Sequence, residues 1–73
     1  MNFPIYRKYS NQKVFFKISS ETDFEEITLM GSKILHQKIN ATTYAERLSI
    51  FDLIEMKNEH TLESTSTEFE SFI

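Results

Sequence analysis

Tyr44-Ala-Glu-Arg-Leu-Ser-Ile-Phe-Asp-Leu-Ile-Glu-Met-Lys57 is the one long run of this chain with a clear helical period. Tyr44, Leu48 and Phe51 follow the i, i+4, i+7 rule, and Ala45 and Ile54 widen the stripe. Ile50, Leu53 and Met56 broaden it further, so this helix is expected to touch apolar partners on more than one side. Asn40 or Thr43 can open it. Thr43 with Glu46 has the spacing of a capping box, in which hydroxyl and carboxylate each satisfy a backbone N–H of the first turn. Asn58 can take the left-handed conformation that stops a helix, and Lys57 suits its negative end. The helix is therefore expected over residues 41–57.

On the N-terminal side of this helix the chain reads as sheet. Pro4 suits the first residue of an edge strand. Ile5 to Ser10 and Lys13 to Ser19 form an expected hairpin, 5–19, turning at Asn11-Gln12. That register sets Ile5 against Ile18, Arg7 against Phe16 and Tyr9 against Val14, on the face taken as the core. The other face then carries Tyr6 across from Lys17, Lys8 across from Phe15 and Ser10 across from Lys13. Residues 21–31 admit two readings. One is a short helix capped by Ser20 or Thr22 and stopped at Gly31. The preferred one is a second hairpin, 24–39, with Gly31-Ser32 as a type II′ turn, Leu29 opposite Ile34, Ile27 opposite His36 and Glu25 opposite Lys38.

After the helix, residues 58–66 are polar and read as a loop. Residues 67–73 end on Phe69, Phe72 and Ile73, one face of a helical turn capped by Thr65 with Glu68. A free apolar tail is unfavourable in water, so it is expected to dock on the core. The sum is one small α+β domain: an antiparallel sheet of two hairpins, one main helix and a docked C-terminal segment.

At 73 residues the chain has room for one domain, and it buries roughly 60% of its unfolded surface. With no cysteine, disulfides, thiol catalysis and thiolate metal sites are excluded. A small chain without such staples is expected in the cytoplasm. No apolar run approaches the ~20 residues that span a bilayer, and the start lacks a signal-peptide core. The net charge of −3 conceals an asymmetry. Arg7, Lys8, Lys13 and Lys17 precede any acid; Glu21, Asp23, Glu25 and Glu26 follow without a base; and from Leu48 onward Lys57 alone faces six acids. The ends are expected to attract each other in the fold.

The segment Phe16-Lys-Ile-Ser-Ser-Glu-Thr-Asp-Phe-Glu-Glu-Ile27, the later Gly31 and the Thr67-Glu-Phe-Glu tail resemble features of short uncharacterised bacterial proteins. Those carry a Phe-Lys-Ile…Ser-Glu-Thr-Glu-Phe-Glu-Glu-Ile core and an acidic ending. The likeness is structural in character and brings no activity and no functional residue with it.

Little here suits catalysis. His36 and His60 lack any metal-binding spacing, Gly31 alone cannot build a phosphate loop, and no nucleophile sits on a recognisable turn. The expectation is a non-enzyme without cofactor or metal, acting as a protein-binding module or assembly subunit. A partner or a second copy would be met through a sheet edge or exposed Phe and Tyr. Two rival surfaces stand beside this. Tyr6, Lys8, Lys13, Phe15 and Lys17 interleave aromatics and ammonium groups as single-stranded nucleic-acid platforms do. Glu21, Asp23, Glu25 and Glu26 offer an acidic face to a basic partner, as in a phage-type inhibitor of a nucleic-acid-handling enzyme.

Overall fold

The computed structural model describes residues 2–73. The elements in chain order are β1 (Ile5–Tyr9), β2 (Val14–Ile18), β3 (Asp23–Met30), β4 (Lys33–Asn40), α1 (Tyr44–Glu55), β5 (Thr61–Glu63) and α2 (Ser66–Glu70). All strand pairs are antiparallel, in one open sheet of order β4-β3-β2-β1-β5. The architecture is α+β, as the sequence implied.

Both hairpins have the expected register. Ile5 pairs with Ile18 and Arg7 with Phe16 in the first; Leu29 pairs with Ile34, Ile27 with His36 and Glu25 with Lys38 in the second. Residues 23–30 are thus strand rather than helix. Gly31 has a φ of +60° and Ser32 is not left-handed, which is the type II′ pattern. The first turn differs from expectation. Gln12, not Asn11, takes the positive φ, at 61°. Asn11 instead accepts the Lys13 N–H on its Oδ1 at 2.9 Å.

β2 lies in the middle of the sheet and is buried on both sides. Alternation along the strand sends Phe16 and Ile18 to one face and Phe15 to the other. Phe16 and Ile18 pack with Ala41, Ile50, Leu53 and Ile54 beneath α1, flanked by Ile5, Tyr9, Val14 and Phe24. Phe15 packs with Ile27 and Phe69 beneath α2, flanked by Tyr6, Leu29 and Phe72. Thr65 caps α2 by accepting the Glu68 N–H at 3.2 Å, and Phe69 is fully buried, so the tail docks as expected. Ile73 does not join it and is exposed.

Several details of the helix depart from the sequence reading. α1 begins at Tyr44, because Thr43 and Glu46 close the capping box and Asn40 remains in β4. It ends on Met56, whose φ of 52° is left-handed, so Asn58 has no stopping role. The core-facing side is Ile50, Leu53 and Ile54; Tyr44, at 72% exposed, and Leu48 lie on the opposite side. Of the broad apolar surface expected, the Ile50, Leu53 and Ile54 part is buried and the Tyr44 and Leu48 part is not. Residues 61–63, read as loop, form β5 against β1 with Arg7 opposite Glu63 and Tyr9 opposite Thr61. A three-residue strand carries too little pattern to show in a sequence. Its presence makes β1 internal, so Pro4 precedes an inner strand rather than an edge.

Arg7 supplies what α1 lacks. No basic residue occupies the last turn of the helix. From β1, the Arg7 guanidinium donates Nε to the Leu53 carbonyl at 3.1 Å and Nη2 to the Ile54 carbonyl at 2.9 Å. Nη1 donates to the Tyr6 carbonyl at 2.8 Å. These carbonyls lie in the last turn, where Leu53 also takes the Met56 N–H at 3.2 Å, and a cation there complements the helix dipole. Arg7→Ala is expected to cost about 2–3 kcal/mol of unfolding free energy in urea. Arg7→Lys should recover little of it, since a single ammonium cannot reproduce a planar fork. An alanine variant within about 0.5 kcal/mol of the parent would show that the contact is not an anchor.

Candidate functional site

Two helices cover the middle of a five-stranded sheet, and β4 is left outside both. It is an edge strand eight residues long, and only Ile39 along it is even half-buried. Met30 precedes the turn and is exposed; Ile34, at 50%, and Leu35 follow it on opposite faces. The tight turn fixes which backbone groups are free. Met30 and Lys33 flank a two-residue loop and therefore exchange hydrogen bonds, and pairs alternate from there. The alternation continues to the Ala41 N–H, which donates to the Thr22 carbonyl at 2.6 Å. Ile34, His36, Lys38 and Asn40 therefore point their backbone N–H and C=O groups away from β3.

The side chains of β4 are basic. Lys33 and Lys38 form no ion pair among the described residues, and the strand contains no acid. His36 lies 2.8 Å from Glu25 through Nε2 and meets the edge of the Phe69 ring at 6.1 Å. Glu25 also lies 4.0 Å from Lys17.

The basic and aromatic set from the first hairpin does share a face, but that face is covered. Phe15 is 2% exposed, with its ring 4.7 Å from that of Phe72. Tyr6 is half-buried at 5.9 Å from Phe69. The Lys8 side chain is 13% exposed and donates to Glu68 at 2.9 Å. Lys17 faces Glu25, and Lys13 lies in the exposed turn. α2 thus occupies the surface on which bases were expected to stack. The hydrophobic tail was the sign of this in the sequence, since it needed a face on which to dock.

The four acids do not form one surface either. Glu21 is exposed in the β2–β3 turn. Asp23 accepts from Asn40 at 2.6 Å and Ser20 at 3.1 Å, bonds that hold its carboxyl below the ordinary value. Glu25 faces α2, whereas Glu26, next along the strand, lines a hollow beside α1. The two histidines stay apart, His36 on β4 and His60 before β5. Among the described residues no three His, Cys, Asp or Glu side chains gather as a metal site.

No protein-family model matches the chain, and neither a curated protein nor a solved structure does.

The attraction between the basic start and the acidic end is visible in the Lys8–Glu68 pair. The Lys8 hydrogen bond, and then that of Ser64, hold the Glu68 carboxyl below its ordinary value of 4.5. A depressed folded pKa stabilises the fold fully above that value and loses the effect as pH falls through the folded pKa. Between neutral pH and about pH 3, Lys8→Met should therefore lose less urea stability than the parent. Equal losses in the two proteins would show that the pair does not contribute to acid sensitivity.

Proposed function

We propose that this chain is a non-enzymatic protein-binding module, engaging its partner by adding a strand to the free edge of β4. The observation that carries this reading is the unpaired row of backbone groups at Ile34, His36, Lys38 and Asn40, on an edge with neither helix over it. Free donors and acceptors spaced along an extended strand are a template for another strand, and the main-chain bonds supply affinity. Side chains on alternate positions supply selectivity. Here Ile34 and Leu35 offer apolar contact on the two faces, and Lys33 and Lys38 favour a partner segment carrying acids.

A second copy is a poorer occupant of the same edge. Two β4 edges laid together bring four lysines and no acid to one seam. Like charges placed so are destabilising, and edge lysines are a common defence against self-pairing. The nucleic-acid reading loses its main support, because Phe15 and Lys8 are engaged by α2.

A fluorescent peptide of alternating valine and glutamate should bind, with amide shifts concentrated on β4. Ile34→Pro removes an outward N–H without touching the ladder to β3, and should weaken binding about tenfold or more. Replacing Lys33 and Lys38 by Glu should shift preference to a valine–lysine peptide. Binding insensitive to Ile34→Pro would place the contact elsewhere. Light scattering that shows a dimer, lost in Ile34→Pro, would assign the edge to self-assembly instead.

A further inference from the structure

A second feature of the molecule stands apart from the β4 edge. Between the C-terminal half of α1 and the sheet lies an open hollow of about 650 Å³. Its floor is aromatic: Tyr9, Phe16 and Phe24, with Leu53 beside them. The rings are mutually fixed, Tyr9 edge-on to Phe16 at 5.2 Å and Phe16 tilted to Phe24 at 6.4 Å. Two carboxylates, Glu26 from β3 and Asp52 from α1, stand on its wall. Neither has a cation within ion-pair distance among the described residues. Glu26 is half-buried and receives only the Thr28 hydroxyl, at 3.4 Å. Lys57 also lines the hollow, and its ammonium lies 3.9 Å from Glu55, which does not line it.

A half-buried carboxylate with no ion-pair partner among the described residues, in a hollow with an aromatic floor, is complementary to a positive charge on an apolar stem. The rings attract a cation through their quadrupoles, and the carboxylates do so through direct hydrogen bonds. An inorganic cation would leave the aromatic floor unused, and a neutral apolar ligand would leave the carboxylates unused. We propose that this hollow binds an organic cation, an alkylammonium or guanidinium group, with Glu26 and Asp52 meeting the charge and Tyr9, Phe16 and Phe24 holding the stem. A free amine and a basic side chain of a peptide share this chemistry.

Butylammonium tests the charge and butanol is its neutral counterpart. In NMR titrations, butylammonium should shift the Leu53 methyls and the Tyr9, Phe16 and Phe24 ring signals, and butanol should bind about tenfold more weakly or worse. Glu26→Gln should lower butylammonium affinity about tenfold with the circular dichroism unchanged. Asp52→Asn, on the exposed side of α1, gives a second reading should the first variant lose structure. A blocked alanine–lysine–alanine peptide that binds more tightly than butylammonium identifies a peptide side chain as the source; the reverse order identifies a free amine. Equal binding of butanol, or affinity unchanged in both carboxylate variants, would overturn the proposal. Ile34→Pro should leave this titration unaffected, so failure here and failure at the β4 edge are separable.

Discussion

The structure depends on β2 being buried from both sides. Phe15 and Phe16 are adjacent, so strand geometry sends them to opposite faces, and neither large ring can be left in water without cost. A chain of this length has only two helices with which to cover them. α1 takes the Phe16 face and α2 the Phe15 face. Both are used on the centre of the sheet, and the outermost strand, β4, receives no cover. The free edge on which the proposed binding role rests is thus a consequence of how the two helices are spent.

The same constraint explains which surfaces are lost to recognition. A row of lysines and aromatics on a hairpin has the composition of a nucleic-acid platform, but its rings are the largest apolar groups on their face. Burying them beneath Phe69 and Phe72 is worth more than leaving them open to ligands. Lys8 then serves the fold, by holding α2 through Glu68. Glu25 and Glu26 are separated by the pleat and cannot act together; one lies beside Lys17 and His36, and the other faces the hollow beside α1.

Local rules carried much of this fold in the sequence. The two hairpin registers followed from β-branched runs and from Gly31, where a single residue type sets the turn. The capping boxes at Thr43 and Thr65 were legible because their chemistry lies within four residues. Legibility failed where the deciding contact was distant. The buried side of α1 stayed undecided, with contact expected on more than one side, because Tyr44, Leu48 and Phe51 make as good a stripe as Ile50, Leu53 and Ile54, and only the sheet chooses between them. Arg7 was placed on the core face with no role; its role appears once Leu53 and Ile54 are brought over it from the other half of the chain. β5 was invisible for the same reason. Of the candidate sites, the β4 edge was foreseen in kind, while the hollow joins residues from β1, β2, β3 and α1 and has no local signature.

Arg7 and Lys8 are neighbours on one strand, and they reach opposite helices. Arg7 holds the end of α1, and Lys8 holds α2. The strand that carries them also pairs with β5, so its outer ladder and both helices arrive more than thirty residues later in the chain. Ile5 and Tyr6 therefore stay wetted until those distant segments fold back onto β1. Closing so long a loop is slow beside forming the local hairpins. The β3–β4 hairpin needs no such closure, so the sheet is completed last at β1 and β5.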